Sequence, residues 1–238
     1  MKIDATGLNF RQLNDLLRNK EADYEITGCL GQRFIAAGQS GGKLTIVGTP
    51  GNALGAYLDS ARIIVEGNAQ DAVGDTMNDG KIIIHGSAGD VLGYAMRGGK
   101  IYVKHDAGYR TGIHMKEYED KKPIITVGGT VGSFLGEYLA GGIIIVLGLN
   151  TDACPVGNFT GTGMHGGKIL IRSQEEPKYL PKQVCVNRAD EEDLRSVKEY
   201  LEEFAALFGY GMDEIMSKSF YRLTPNARNP YKRLYTYN

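Results

Sequence analysis

A glycine followed three residues later by a large apolar residue occurs seven times in this chain, at nearly constant spacing. Successive glycines of these pairs lie 24, 19, 19, 19, 24 and 25 residues apart. Such a period is typical of a solenoid, in which each repeat forms one coil that stacks on its neighbours. The pairs are Gly31/Phe34, Gly55/Leu58, Gly74/Met77, Gly93/Met96, Gly112/Met115, Gly136/Leu139 and Gly161/Met164.

Seven aliphatic segments recur in phase with the glycines, at residues 43–48, 62–67, 81–86, 100–105, 123–128, 143–148 and 168–173. Each has the length of a β-strand, and two positions, two residues apart, are almost always aliphatic. Since alternate strand residues face opposite sides, this pair is predicted to point inward and the position between them outward. The inward pairs are Leu44/Ile46, Ile63/Val65, Ile82/Ile84, Ile101/Val103, Ile124/Thr126, Ile144/Val146 and Ile169/Ile171.

These two repeats predict an all-β solenoid, a right-handed parallel β-helix of about seven coils with capping α-helices at both ends. One coil buries too few side chains to offset the loss of backbone entropy, about 1 to 2 kcal/mol per residue. Stacking places each inward side chain against those above and below. The stack, rather than the coil, is therefore expected to be the stable unit.

The glycine of each pair is predicted to lie at a sharp corner, where positive φ favours glycine. One further corner position carries short polar residues: Asn52, Asp71, Asp90, Ser133 and Asn158. Side chains of this kind commonly accept hydrogen bonds from nearby backbone amides, so these residues are interpreted as turn formers.

Helical patterns flank the repeat. Residues 9–20 carry Phe10, Leu13, Leu16 and Leu17 on one face, which predicts a helix that caps the first coil. Acidic residues 190–193 precede an apolar pattern ending at Gly209, and a short helix is predicted over 212–219.

The predicted domains are an N-terminal helical cap (1–27), the β-helix (28–186), and C-terminal helices with an extended arm (187–238). The arm, from Tyr221 onward, is rich in Tyr and Arg and contains two prolines. It either docks a partner or lies along its own rod.

Two coils contain insertions, at residues 105–122 and 149–156, which are expected to bulge from one corner of the rod. The first contains a charged run, 116–122, interpreted as a solvated loop. Neither insertion contains a paired acid and base, a nucleophile with its base, or a set of metal ligands.

Composition narrows the function. The net charge of −1 gives no support for a nucleic-acid groove, and no run of eighteen apolar residues could span a membrane. The first residues lack the apolar core of a signal peptide, so a cytoplasmic location is expected.

No catalytic, cofactor-binding or metal-binding residue is predicted. Three cysteines lie far apart, and none is near the N-terminus to act as an amidotransferase nucleophile: Cys29, Cys154 and Cys185. Four histidines occupy different coil positions without a ligand pair, and each is expected to be structural or solvated: His85, His105, His114 and His165.

Gly161-Thr-Gly-Met-His-Gly166 matches the dinucleotide fingerprint, but the predicted context is a corner followed by a strand rather than the opening of a helix. A nucleotide site is not expected there. Asp71 and Asp90 would align on adjacent coils, as the carboxylates of a β-helix carbohydrate-active enzyme would, yet their corner position gives them a sufficient structural role.

Two glycine-rich segments, residues 136–148 (GEYLAGGIIIVLG) and 157–167 (GNFTGTGMHGG), resemble the repeats of the C-terminal GXGXG β-helix domain of the glutamate synthase large subunit. The resemblance begins near Gly28 and reaches the ending NPYKRL at 229–234. The coil motif is shared with the β-helical subunit of formylmethanofuran dehydrogenase, and the ending favours glutamate synthase.

The resemblance implies a non-catalytic structural subunit of an oxidoreductase complex. In that family, glutamine is hydrolysed in one domain, and ammonia reaches a second domain that carries FMN and an iron–sulfur cluster and makes glutamate from 2-oxoglutarate. The β-helix domain braces both. The expected partners are therefore a glutaminase subunit and an FMN/iron–sulfur synthase subunit, with no cofactor bound by this chain.

Two alternatives remain open on the sequence. One is the equivalent subunit of a formylmethanofuran dehydrogenase, with molybdenum or tungsten on a partner. The other is a free-standing β-helix enzyme acting on polysaccharide, which fits poorly with a chain that contains no Trp.

Met96, in a central coil, tests the predicted coil positions. Met96→Asp is expected to prevent folding, because it would bury an unpaired charge among stacked apolar side chains. Circular dichroism and chemical denaturation would detect the loss. A soluble Met96→Asp variant that unfolds cooperatively would contradict the proposed arrangement.

Overall fold

Strands form at all seven predicted segments in the structure of the chain, a computed structural model that describes residues 1–19 and 22–226. Two strands precede them and two follow them. The strands are β1 (Lys2–Asp4), β2 (Tyr24–Leu30), β3 (Lys43–Thr49), β4 (Arg62–Glu66), β5 (Lys81–Ile84), β6 (Lys100–Val103), β7 (Ile124–Val127), β8 (Ala140–Val146), β9 (Gly166–Arg172), β10 (Val184–Arg188) and β11 (Phe220–Pro225). The helices are α1 (Phe10–Leu16), α2 (Glu191–Arg195), α3 (Lys198–Phe208) and α4 (Met212–Ile215).

The strands pair in the order β1-β2-β3-β4-β5-β6-β7-β8-β9-β11-β10. Each of β1 to β9 is parallel to the next, so every connection between them is one coil of a solenoid. The predicted parallel β-helix is confirmed. It has about eight turns rather than seven, because the coil between β1 and β2 contains α1 in place of a glycine corner and so lacks the repeat pattern.

The sheet also extends past the expected ends of the β-helix. The boundaries expected at residues 28 and 187 fall within β2 and β10. At the far end, β11 pairs antiparallel with β9 and with β10, so the first residues of the predicted arm lie along the chain's own sheet. The remainder of the arm, residues 227–238, and with it the NPYKRL ending, lies outside the described residues.

The inner core consists of in-register aliphatic stacks. Ile63 pairs with Ile82, Ile82 with Ile101, and Ile101 with Ile125, and all four side chains are fully buried. The predicted inward pair in β7, Ile124 and Thr126, is therefore wrong by one residue. Five extra residues precede β7, and its uninterrupted apolar run gives no alternation from which the register could be read.

The first glycine pair is also displaced. Ile35 accepts a 2.8 Å hydrogen bond from the N–H of Gly55, as Leu54 does from Gly74 one coil later. Ala36 and Gln39 therefore occupy the positions predicted for Gly31 and Phe34, and Phe34 is 45% exposed. Ala36 adopts φ of 59° without being glycine, which explains why the pattern missed it.

The corner glycines have the conformation that the sequence predicts. Gly74 and Gly93 have φ of 69° and 67°. Space is limiting as well, because a Cβ on Gly93 would lie 2.5 Å from Cδ1 of Ile125. Any larger residue there would both strain the backbone and collide with the core.

The polar turn formers bond to the next coil rather than to their own turn. Asp71 Oδ1 accepts from the N–H of Asp90 at 3.0 Å, and Asp90 Oδ1 accepts from Tyr109 at 2.8 Å. Ser133 Oγ accepts in the same way from the N–H of Asn158 at 3.1 Å. These side chains form a ladder that holds successive corners in register.

The N-terminal helix closes the first coil. Asn9 and Gln12 form a capping box at its start, and Leu13 and Leu17 are buried in the inner core. The helix ends at Leu16, earlier than the predicted residue 20.

The predicted C-terminal helix is divided into α2 and α3 by a break at residues 196–197. Asp190 is its N-cap, and Gly209, with φ of 77°, ends α3 as the sequence predicts. These helices and α4 lie on the outer face of the sheet and form a second hydrophobic core there. Outward residues such as Tyr102 and Leu170 are buried beneath them.

One polar cluster fixes α3 to the strands. Glu203 accepts hydrogen bonds from Lys81, from Lys100 Nζ at 3.3 Å and from Tyr102 Oη at 2.6 Å. Burial acts to raise the pKa of Glu203, but these donors outweigh it and hold the pKa below its usual value. Burial, followed by the bond to Glu203, raises the pKa of Tyr102.

The two insertions leave the coils at opposite ends of the strands, not at one corner as expected. The first, at 116–122, comes just before β7, and Lys121 folds back to within 3.6 Å of Asp59 and 3.5 Å of Asp79. The second follows β8, where Asp152 pairs with Lys218 at 2.8 Å. Each extra segment is thus held by ion pairs to a neighbouring part of the chain.

Gln39 provides a test of the displaced first corner. It is fully buried in the column otherwise occupied by Leu58 and Met77, and its Oε1 has no hydrogen-bond partner among the described residues. Gln39→Met is expected to raise the free energy of unfolding by about 1 kcal/mol, because an unsatisfied buried acceptor costs about 1 to 3 kcal/mol. Urea denaturation would measure it, with exposed Gln70→Met as the control. A destabilised Gln39→Met variant would contradict this assignment.

Candidate interaction surface

Exposed aromatic rings line the glycine corner of the coils between β5 and β9. This set, called here the aromatic corner, comprises Tyr94, Tyr109, His114, Phe134, Tyr138 and Phe159. Four of its members are large side chains that remain 38 to 54% exposed, which leaves extensive apolar surface open to solvent: Tyr94, Tyr109, Tyr138 and Phe159.

The rings contact one another across coils. His114 stacks on Tyr138 with centroids 5.0 Å apart, and Tyr94 meets His114 edge-on at 5.9 Å. Phe134 stacks on Phe159 at 5.1 Å. Because adjacent coils are about 4.8 Å apart, the fold itself sets the stacking distance. The result is a preformed, rigid aromatic surface.

The turn does not require aromatic residues at these positions. Phe134 has φ of 63° and donates its N–H to the next coil, as Ala53 and Ala72 do at the equivalent position of earlier coils. Tyr138, with φ of 53°, is likewise equivalent to Ala95. The left-handed conformation costs an L-residue about 1 to 2 kcal/mol whatever its side chain. The rings are therefore a property of the surface rather than of the turn.

Charged residues border the rings. The Arg110 guanidinium lies 4.9 Å from the Phe134 ring centroid, and its Nε is 3.0 Å from Glu137 Oε2. Exposed Tyr, Phe and Arg side chains around an apolar centre are typical of the best-binding parts of protein–protein interfaces. This surface can bind a partner by stacking and apolar burial.

The four histidines are not brought together. His114 lies in the aromatic corner, whereas His85 packs edge-on against Phe208 at 5.3 Å and His165 Nδ1 lies 3.2 Å from the carbonyl oxygen of Gly163. His105 precedes Asp106, whose carboxylate accepts a 2.6 Å bond from the N–H of Thr130. The sequence did not indicate the role of His114 in the ring stack.

The cysteines are separate as well. Cys29 is buried, Cys154 is half-buried and Cys185 is exposed on β10. Burial raises the pKa of the Cys29 thiol to about 11. In the described part of the chain, no three His, Cys, Asp or Glu side chains converge in an arrangement that could hold a metal ion.

Two other sequence candidates have structural explanations. The segment that matches the dinucleotide fingerprint turns the corner, and its last glycine, Gly166, begins β9 rather than a helix. Asp71 and Asp90 do align on adjacent coils, but each carboxylate accepts a backbone amide of the following coil. Within residues 1–19 and 22–226, no helix is long and apolar enough to cross a bilayer.

Comparisons with known proteins place this geometry in context. The GXGXG motif family matches residues 14–227. An uncharacterized protein of Methanocaldococcus jannaschii is 43% identical over 249 aligned positions, which cover 98% of this chain and 95% of the relative.

A solved structure shows the same fold. It is a chain of the formyltransferase/hydrolase complex of Methylorubrum extorquens in complex with methylofuran. It superposes with a TM-score of 0.65 at 22% identity, covering 84% of this chain and 72% of that chain.

The aromatic corner should be dispensable for folding. Tyr138→Ala and Phe159→Ala are each expected to change the free energy of unfolding by about 1 kcal/mol or less, since only ring stacking is lost. Met115→Ala, in the inner column of the same region, should cost about 2 to 5 kcal/mol. Urea denaturation of the three variants would compare them. Losses of equal size would show that the rings serve the fold instead.

Proposed function

Since the chain belongs to the GXGXG motif family, we propose that it is a non-catalytic structural subunit of a split glutamate synthase. The proposal is supported by the match over residues 14–227 and by the resemblance of segments 136–148 and 157–167 to the repeats of the large subunit. The proposed partners are a glutaminase subunit and a synthase subunit, the latter carrying FMN and an iron–sulfur cluster.

The aromatic corner is the observation that carries a docking role. It presents stacked rings on four successive turns, at a fixed spacing, without any requirement from the turns themselves. Preorganised aromatic side chains lose little conformational entropy on binding, so they contribute a large share of affinity per residue. We assign the synthase subunit to this surface.

A structural role also fits the mechanics of the fold. The parallel coils are joined by backbone hydrogen bonds along their whole length, and α3 is fixed to their outer face through Glu203. A rod of this kind holds two bound partners at a constant separation and orientation. Passage of ammonia between two active sites requires that constancy, because misalignment would release the intermediate to solvent.

Affinity purification from the native cells tests this function. The tagged chain should recover a glutaminase and a flavoprotein, identified by mass spectrometry, with the absorption spectrum of FMN and an iron–sulfur cluster. The Tyr138→Ala/Phe159→Ala double variant should lose the synthase subunit at least tenfold.

The chain provides a matched control. Phe34 and Tyr57 occupy the same two corner positions near the N-terminal end, with φ of 59° and 57° and comparable exposure. Phe34→Ala/Tyr57→Ala should therefore retain the partner. Equal loss from both double variants would overturn the assignment of the aromatic corner.

The solved structure favours one other candidate, a subunit of a formylmethanofuran dehydrogenase, because its fold occurs in a complex bound to methylofuran. Recovery of a molybdenum or tungsten protein in the same experiment would establish that candidate and overturn glutamate synthase. Recovery of this chain alone would overturn both.

A further inference from the structure

A second exposed surface lies on the opposite layer, between the C-terminal helices. An apolar groove of about 540 Å³ runs between α2, the start of α3 and α4. Leu201 forms its buried floor, and Leu194, Met212 and Met216 form its walls, Met216 being 41% exposed. Leu194 and Met216 also border an adjoining hollow of about 340 Å³ beside β10 and β11, so the two hollows are continuous.

The charges around the groove are predominantly positive. Five charged residues line the two hollows, and four of them are basic: Arg188, Glu191, Arg195, Lys198 and Lys218. Lys198 and Lys218 are paired with Glu202 and Asp152. Among the described residues, Arg188 and Arg195 have no carboxylate partner.

We propose that this groove binds an amphipathic helix of a partner protein, with apolar anchors at positions i, i+3 or i+4 and i+7 and acidic residues on its flanks. Flexible methionines beside a leucine floor adapt to such anchors, as in other helix-in-groove interfaces. The unpaired Arg188 and Arg195 provide charge complementarity to the acidic flanks. The inference rests on the proposed function only in assuming that the chain has a protein partner.

The chain's own C-terminal segment is a poor match for the groove. Residues 227–238 include Arg228, Lys232 and Arg233 and no acidic residue. Like charges would repel at the basic border, so the charge argument selects an external, acidic helix.

A designed peptide provides the probe. We would label an 18-residue helical peptide with fluorescein, place Leu at i, i+4, i+7 and i+11, and fill the flanks with Glu. The matched control peptide carries Lys in place of Glu. Fluorescence anisotropy with the full-length chain should show that the acidic peptide binds at least tenfold more tightly. Failure of the acidic peptide to bind, or equal binding of both peptides, would overturn the proposal.

Variants locate the binding. Arg195→Glu and Met216→Glu should each weaken acidic-peptide binding at least tenfold, whereas Lys178→Glu, at an exposed site outside the groove, should not. Tyr138→Ala/Phe159→Ala should leave peptide binding unchanged, which separates this test from that of the proposed function. Unchanged binding in Arg195→Glu and Met216→Glu would overturn the groove assignment.

Two further measurements exclude other occupants. Removal of residues 227–238 should leave the peptide affinity unchanged, and a tenfold increase would instead place that segment in the groove. Sedimentation should show no dimer that Met216→Glu dissociates. Such a dimer would assign the groove to a second copy of the chain and overturn the proposal.

Discussion

Backbone hydrogen bonds between successive coils are the interaction on which the rest of this structure depends. At the corner, Gly74 donates its N–H to Leu54 of the preceding coil at 2.9 Å, and Gly93 donates to Val73 at 2.8 Å. The same direction of bonding recurs in the parallel strands. A single coil has no partner for these groups, so each coil is stable only between its neighbours.

This stacking also determines what the surface can present. Side chains at equivalent positions are brought about 4.8 Å apart, which is the spacing of a polar ladder or of stacked rings. Asp71 and Asp90 use that spacing to satisfy backbone amides, while His114 and Tyr138 use it to stack. One geometric repeat therefore supports both the stability of the corner and the proposed docking surface.

The outer face of the strands shows a different solution to the same constraint. Its residues would be exposed in an isolated rod, but α3 covers Tyr102 and Leu170, and Glu203 ties the helix to two lysines and a tyrosine hydroxyl. The helices thus complete a second core and leave their own outer groove open to a partner. The two proposed binding surfaces lie on separate parts of the molecule, so they can be tested independently.

The sequence by itself determined the coil: the period, the strands, the inward isoleucines and the positive-φ glycines follow from local patterns of residue type. Register was lost where local signals failed, at Ile125, which follows an insertion, and at Ala36, which replaces the expected glycine. Only the tertiary structure decided what lies between coils and on the outer face. The aromatic corner joins residues 19 to 25 apart in sequence, and the groove needs the packing of α2, α3 and α4, because long-range contacts, rather than local propensity, determine where such surfaces meet.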